Sequence, residues 1–322
     1  MARLTADGTG TLTFEAGSGK LDIATLVANT SLTLNTDATF SAVTFGEGKT
    51  ISLGEGKTLT ASGAFLTPFL GDGVVNPTEL PLSGGTLALD LGAGKTLKMN
   101  GSGEGTTLGN LTITSGTLEF NAGGEKGPGY GRTITVTGTD SVLKFSAQDA
   151  TGWTENGNKV VLANGAKLIV NHRDTFASSL ELAGGTIELQ NNSQMNTVNG
   201  VDDGRAFDWH DHTNDPLKVT ANSTITYAAD AVGNARCFGL RDGTPTFEVA
   251  KNVTLTFNAI LTTVSGSNTF TKSGKGTLLF TSANTYSNPT TLSEGTIKLE
   301  GEGSLGTSTV TVEANGTLDL GA

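Results

Sequence analysis

The residue types best suited to chemistry are concentrated in one short stretch, Asp208-Trp209-His210-Asp211-His212. His210 and His212 are two residues apart, so on an extended chain their imidazoles would lie on the same side, near Asp208. Imidazole and carboxylate groups bind zinc, but a zinc site needs three or four ligands in a fixed arrangement. The sequence holds one further histidine, His172. A solvated polar loop is therefore favoured, and we assign no metal ligands.

A glycan-cleaving site would need two carboxylates that converge, or a carboxylate combined with basic groups. Asp202 and Asp203 are adjacent, so in a strand their side chains would point to opposite faces. Nothing in the sequence makes the nearby basic residues converge on them, namely Arg205, Arg236 and Arg241. We therefore assign no catalytic residue, no cofactor and no cofactor-binding residue, and we keep a polysaccharide-binding or polysaccharide-cleaving protein as the alternative function.

Three aromatic side chains and one thiol complete the set of chemical candidates. Trp153, Trp209 and Tyr227 have rings that could stack on sugars, but we interpret each as a ring that covers apolar core at the base of a loop. Cys237 is the single cysteine, so no disulfide can close within the chain. We interpret Cys237 as a small buried hydrophobe rather than a reactive thiol.

Composition excludes two classes of partner. The formal net charge is −11 and no basic cluster occurs, so we expect no nucleic-acid partner, since phosphate binding needs concentrated lysine and arginine. No run of about 18 apolar residues occurs, which argues against a membrane-spanning helix. Glycine is frequent, at 45 of 322 residues, and threonine, valine, isoleucine and leucine fill the periodic segments. This composition is typical of an all-β protein.

The elements that must position these residues follow from a five-residue phrase, glycine-threonine-apolar-x-apolar, that recurs along the chain. Near the C-terminus its glycines are 19 and 21 residues apart (295 − 276 and 316 − 295). On an extended chain the two apolar side chains of each phrase fall on the same face. We therefore expect the following side chains to face inward: Leu278, Phe280, Ile297, Leu299, Leu318 and Leu320. Leu279 lies between two of them and is expected to face outward.

A fixed period near 20 residues is typical of a solenoid, in which each repeat is one coil stacked on the previous one. The phrase also occurs upstream, for example at Gly10–Phe14 and Gly185–Leu189. We predict a right-handed parallel β-helix, because the phrases repeat in one direction at coil-length spacing. An antiparallel sandwich or barrel is the competing fold, with hairpin turns at Asn164-Gly165, Asn199-Gly200 and Asn315-Gly316.

The alternating pattern runs almost from end to end, which predicts a single β-solenoid over residues 1–322 rather than separate globular domains. It is interrupted in five places, and we expect loops to leave the stacked core there. Such loops are where a solenoid usually carries its function. The predicted excursions cover residues 64–81, 123–131, 148–158, 190–216 and 228–244.

One part of the chain is similar to a known family. The runs Lys272-Ser273-Gly274-Lys275-Gly276-Thr277-Leu278, Ser282–Tyr286 and Thr290–Ile297 resemble the passenger-associated transport repeat of bacterial autotransporters. The resemblance covers about residues 270–320. The departures from the usual pattern are small: Ser282 replaces a glycine, and Asn288-Pro289 stands where two glycines are common.

The resemblance implies a non-catalytic fragment of a secreted or surface-displayed passenger, exported through the outer membrane to the cell surface or the exterior. It would act as a rigid β-helical stalk or an adhesion module, and its C-terminal repeat would aid folding and export. The implied partners are a host or cell-surface glycan or protein and the outer-membrane β-barrel of the same precursor, without membrane insertion of this fragment. No export signal is visible after Met1, so the resemblance implies a longer precursor.

Overall fold

The structure is a computed structural model that describes residues 3–15, 21–45, 51–53, 57–62, 74–75, 82–99, 108–120, 132–146, 158–171, 174–176, 179–190, 207–209, 216–240, 245–263 and 269–321. Apart from one short 3-10 helix, Gly233–Arg236, all regular structure in these ranges is β-strand. The strands, numbered in chain order, are β1 Arg3–Phe14, β2 Leu21–Leu34, β3 Ala38–Phe45, β4 Ile51–Leu53, β5 Thr58–Ser62, β6 Val74–Val75, β7 Leu82–Asp90, β8 Thr96–Met99, β9 Leu108–Phe120, β10 Thr133–Thr137, β11 Ser141–Phe145, β12 Lys159–Ala163, β13 Lys167–Val170, β14 Asp174–Phe176, β15 Ser179–Ala183, β16 Thr186–Leu189, β17 Phe207–Trp209, β18 Leu217–Ala221, β19 Ser223–Tyr227, β20 Cys237–Leu240, β21 Thr246–Val249, β22 Thr254–Phe257, β23 Ile260–Thr263, β24 Phe270–Ser273, β25 Thr277–Phe280, β26 Thr290–Leu299 and β27 Val310–Asp319.

The strands stack in parallel ladders, one coil on the next. One ladder runs through β9, β10, β12, β15, β18, β21, β24 and β26, and a second through β9, β11, β13, β16, β19, β22, β25 and β26. The long strands β9 and β26 belong to both ladders because each continues around a corner of the coil. Strand β27 then stacks on β26 along both halves. The predicted parallel β-solenoid is confirmed.

A third side of the coil is a separate sheet of four short strands, β14, β17, β20 and β23, also paired in parallel. Two of them lie inside predicted excursions, β17 in 190–216 and β20 in 228–244. Both stretches therefore contribute a strand to the stacked core, where the sequence predicted loops. β17 has only three residues and β20 is buried at all four of its positions, so neither shows the alternation from which strands are predicted.

The corner at Asn164-Gly165 distinguishes the observed fold from the antiparallel alternative. Asn164 and Gly165 adopt φ angles of 54° and 84°, the left-handed region that suits asparagine and glycine. They join β12 to β13, and each of these strands pairs in parallel with its counterpart in the next coil. The dipeptide therefore turns a corner of the solenoid and does not close a hairpin.

The core lies inside the coils and is built by strict alternation along each strand. In β13, for example, Leu168 and Val170 are fully buried, while Lys167 and Ile169 face outward. Toward the C-terminal end the interior becomes aromatic, with Phe247, Phe257, Phe270 and Phe280 all fully buried. Each buried side chain of this size stabilises the fold by roughly 1.5–3 kcal/mol, and stacking is what buries it.

Most of the predicted side-chain directions in the C-terminal phrases are confirmed. Leu278, Phe280 and Ile297 are fully buried, and Leu279 is half-buried on the outer face. Leu299 and Leu318 pack against the core but are only partly buried. The inward prediction for Leu320 is wrong: its side chain is 68% exposed, because no described strand stacks on the outer edge of β27.

Little of the other predicted excursions lies in the described part of the chain. It includes Val74–Val75 of the 64–81 excursion, Asn158 of the 148–158 excursion and nothing of 123–131. The organisation of residues 1–322 as a single solenoid and its right-handed winding stay predictions.

Candidate functional site

The strongest constellation of specific contacts is in the coil that runs from β24 to β26. This coil contains β24, a glycine corner at Gly274 and Gly276, β25, and an irregular segment, Asn284–Asn288, on the third side. Along that segment every second residue is buried, as in a strand, with Asn284, Tyr286 and Asn288 inside. The coil therefore presents inward-facing polar groups on two of its three sides.

Lys272 is the most unusual member of this coil, because its side chain is fully buried inside the solenoid. Its ammonium donates to the carbonyl oxygens of Ser273 (2.8 Å), Gly274 (2.7 Å) and Glu294 (3.0 Å). An ammonium has three donors, so every one of them is satisfied. Burial lowers the pKa of Lys272 to about 8, and the negative charge of Glu294 partly opposes that shift.

Tyr286 fills the third side of the same coil and is also fully buried. Its hydroxyl lies 3.0 Å from Oγ1 of Thr290, which in turn lies 2.7 Å from Oγ of Ser308 in the following coil. The ring meets Phe270 edge to face, with the centroids 5.9 Å apart. Burial raises the pKa of the Tyr286 hydroxyl to about 12. The tyrosine thus joins the aromatic core to a hydroxyl chain that crosses coils.

Asn284 connects three successive coils through its side-chain amide. Its Oδ1 accepts a hydrogen bond from the backbone N–H of Leu261 at 2.8 Å, and its Nδ2 donates to the carbonyl of Ser304 at 2.7 Å. One residue of the preceding coil, Asn258, has a similar role, because its Nδ2 donates to Oγ1 of Thr226 at 3.2 Å and its Oδ1 accepts from Oγ1 of Thr281 at 2.9 Å. These amides add to the backbone hydrogen bonds between coils where the third side is irregular, such as the bond from Thr285 N–H to the Leu261 carbonyl at 2.9 Å.

The residues singled out for metal binding are not brought together in the described part of the chain. Strand β17 includes Asp208 and Trp209, and the Trp209 ring is buried against Phe238 and Phe247. That ring is core, which confirms its predicted place. His172, His210, Asp211 and His212 lie outside the described residues. Among the residues that are described, no group of three or more histidine, cysteine, aspartate or glutamate side chains could hold a metal ion.

The candidates for glycan chemistry are similarly dispersed or structural. The guanidinium of Arg236 lies 5.1 Å from the centre of the Tyr227 ring, and its Nε donates to the carbonyl of Ala231 at 2.7 Å. Arg236 therefore ties down the short 3-10 helix instead of facing a carboxylate pair. Cys237 is buried, as expected for a small hydrophobe. The other candidates lie outside the described residues: Trp153, Asp202, Asp203, Arg205 and Arg241.

A comparison with protein families shows what this coil is similar to. The sequence model of the family described as Passenger-associated-transport-repeat matches residues 270–299, the segment that holds Lys272, Asn284 and Tyr286. We call residues 270–299 the transport repeat, after the family that they match. The buried lysine of this transport repeat is the first residue of the run that carried the predicted resemblance.

A curated relative extends the resemblance beyond the transport repeat. The "Adhesin BmaC autotransporter" of Brucella suis biovar 1 (strain 1330) is 25% identical over 320 residues, which cover 89% of this chain. The matched region is 9% of that relative's length, so the chain spans a small part of it. No solved structure matches the chain. The predicted resemblance to autotransporter passengers is confirmed, and so is export to the bacterial surface or exterior.

Sequence reasoning identified the transport repeat but missed the burial of Lys272. A signal was present, since Lys272 is two residues after Phe270 and so falls on the same inward face. Lysine is almost never fully buried unless it is paired, and its acceptors here are backbone atoms.

Among the described residues there is no helix with the length and hydrophobicity of a membrane span.

Proposed function

We propose that this chain is a non-catalytic stalk segment of an autotransporter passenger, which holds adhesion or interaction loops away from the bacterial surface. The observation that carries the proposal is the uninterrupted parallel stacking from β9 to β27, which includes the transport repeat. A column of coils hydrogen-bonded to one another is stiff along its length, and its loops can vary without disturbing the core. The printed name of the relative, an adhesin, supports a binding role.

We further propose that the transport repeat aids folding during export. Side chains of its coil contact the next coil, Lys272 and Asn284 directly and Tyr286 through the hydroxyl of Thr290. A coil held in shape by such contacts offers formed strand edges on which the next segment can pair. The outer-membrane β-barrel of the same precursor would be its partner during export, and a host or cell-surface glycan or protein would be the partner of the displayed loops.

The experiment uses the full precursor on its native cell surface. Two point variants, Tyr286→Ala and Asn284→Ala, weaken the transport repeat without shortening the chain, and Thr285→Ala, an exposed position between them, is the matched control. We expect surface display, measured by protease accessibility on intact cells, to fall for both variants and to stay unchanged for the control. Unchanged display after deletion of residues 270–320 would contradict the export role.

Adhesion is tested separately, so that its failure leaves the export role intact. Cells that display the wild-type passenger are compared with cells that display the same passenger lacking residues 191–206. These residues belong to the predicted 190–216 excursion and lie outside the described residues. We expect binding to host cells or to a glycan array to fall while display is unchanged. Release of sugar products from polysaccharides by the purified chain would instead support the glycan-cleaving alternative.

A further inference from the structure

The inward column that contains Lys272 is otherwise apolar. In the parallel register Phe247 is the neighbour of Lys272 in the preceding coil, and Leu292 is its neighbour in the following one. Both neighbours are fully buried, and Val312 comes next in the same column. A lysine at this position puts a charge where the stacking needs only a hydrophobic side chain. Its presence therefore calls for a role other than apolar burial.

The acceptors of the ammonium come from two different coils. Ser273 and Gly274 belong to the coil of the lysine, whereas the carbonyl of Glu294 belongs to the next coil, 22 residues further on. A second contact reinforces the pairing, because Ser293 Oγ donates to the backbone carbonyl of Lys272 at 3.0 Å. The third hydrogen bond of the ammonium thus exists only after β26 has stacked on β24.

The corner that delivers these carbonyls depends on glycine. Gly274 and Gly295 adopt φ angles of 73° and 74°, which side-chain-bearing residues rarely adopt. A Cβ on Gly295 would lie 2.4 Å from the carbonyl oxygens of Gly274 and Gly276, and 3.0 Å from Nζ of Lys272. The carbonyl oxygens of Ser273, Gly274 and Glu294, which we call the carbonyl cage, can therefore surround the ammonium only because Gly295 of the next coil has no side chain.

Strand β27 could replace β26 in the apolar pattern but not in this cage. Both strands carry the same phrase, and Leu292 and Val312 occupy the same column, although Val312 is 45% exposed at the open edge of the stack. Their corners differ by one residue, since Leu292 pairs with Val312 while Glu294 pairs with Asn315. Gly316 also lacks the left-handed φ angle of Gly295. If β24 paired with β27, the ammonium would lose the acceptor that Glu294 provides.

We propose that Lys272 is a register lock, which selects β26 as the strand that stacks on β24 and penalises pairing with other copies of the phrase. Solenoid repeats need such a device because similar coils are interchangeable as far as apolar burial is concerned. A buried charge that loses its partner is strongly destabilising, whereas a hydrophobic replacement is often neutral. The lock follows from the contacts of Lys272 alone and does not depend on the proposed export function.

The test follows strand pairing during refolding of the purified chain, in a Cys237→Ala background that removes the native thiol. The pair Thr271→Cys and Thr291→Cys reports the native register, because these outward residues are direct neighbours in β24 and β26. The pair Thr271→Cys and Thr311→Cys reports the skipped coil. In the native stack its two residues lie two strand spacings of about 4.8 Å apart, beyond the roughly 7 Å limit for a disulfide.

With Lys272 present we expect cross-linking of the native pair and almost none of the skipped pair. In Lys272→Met we expect a roughly tenfold rise of the skipped product, the ratio that corresponds to about 1.4 kcal/mol. Lys275→Met is the matched control, because Lys275 approaches the same Glu294 from the exposed side and its side chain is 66% exposed. An unchanged cross-link pattern in Lys272→Met would overturn the proposal.

A second variant keeps the result interpretable if methionine disturbs the core. Lys272→Leu places in β24 the residue type that β26 already has in this column. If the leucine variant refolds and forms more of the cross-link between positions 271 and 311, the result supports Lys272 as the register lock. Failure of both variants to refold at all would identify the lysine as a structural requirement rather than a selector of register, and would also overturn the proposal.

Discussion

The ammonium of Lys272 donates a hydrogen bond of 3.0 Å to the backbone carbonyl oxygen of Glu294, which lies 22 residues away in the next coil. The two residues are also linked through charge, since the Glu294 carboxylate favours the protonated amine. This contact places a buried cation at the boundary between two coils of an otherwise apolar interior. Its consequences for stability can be measured directly.

The first prediction concerns pH. The folded pKa of Lys272 is about 8, below its ordinary value of 10.5, so between these values the unfolded chain binds more protons than the folded one. The contribution of Lys272 to the free energy of unfolding therefore increases as pH rises through this window. Denaturant unfolding gives the free energy of unfolding of wild-type protein and of Lys272→Met at about pH 7.5 and 9.5. We expect this free energy to rise more between the two pH values in the wild-type protein than in the variant.

Tyr286 limits the pH range of this experiment, and Lys275 provides its control. The raised pKa of Tyr286, about 12, makes the unfolded chain lose its tyrosine proton first, so stability decreases above about pH 10 and the series stops below that value. Lys275→Met serves as control, because Lys275 is exposed. Identical pH dependences for wild-type protein and Lys272→Met would contradict the prediction.

A second prediction concerns the glycine corner. Gly295→Ala places a Cβ 2.4 Å from two carbonyl oxygens at a φ of 74°, so we expect a loss of at least roughly 1–3 kcal/mol in the free energy of unfolding. Gly94→Ala is the control, with a φ of 71° and no atom within 4 Å of the added Cβ. Because both substitutions share the backbone strain, a larger loss for Gly295→Ala measures the clash. Equal losses would mean that the corner relaxes.

Tyr286 allows its ring and its hydroxyl to be tested separately. Tyr286→Phe removes the hydroxyl but leaves Thr290 and Ser308 hydrogen-bonded to each other, so we expect a loss of about 0.5–1.5 kcal/mol. Tyr286→Ala also opens a cavity beside Phe270, for which about 3–5 kcal/mol is typical. Chemical denaturation of both variants checks the order. A phenylalanine variant as unstable as the alanine variant would assign the main effect to the hydroxyl chain.

The amide of Asn284 provides a further prediction. Asn284→Ala leaves the backbone N–H of Leu261 and the carbonyl of Ser304 without their partner, and we expect a loss of roughly 1–3 kcal/mol. Hydrogen exchange should show faster exchange at the Leu261 amide in particular. Thr285→Ala is the control, because Thr285 is exposed. Unchanged exchange at Leu261 would show that water or another group satisfies this amide.

The alternation of side chains predicts most of the residues of the phrase that build the core. Leu278 and Phe280 are two positions apart in an extended segment, and this local geometry alone puts both inside. The same rule failed for Leu320, because burial also requires a further coil on the open edge of β27. The predicted place of Trp209 in the core was right, although its strand has only three residues.

The sequence by itself therefore determined the fold class, the period of the coils and the transport repeat, since all three depend on residues close together in the chain. Only the tertiary structure decided the partners that cross coils: the sheet formed by β14, β17, β20 and β23, the amide contacts of Asn284 and the burial of Lys272. The physical reason is that the acceptors of Lys272 include a backbone carbonyl of the next coil. Every residue has such a carbonyl, so no residue type in the sequence marks the one that stacking brings to the ammonium.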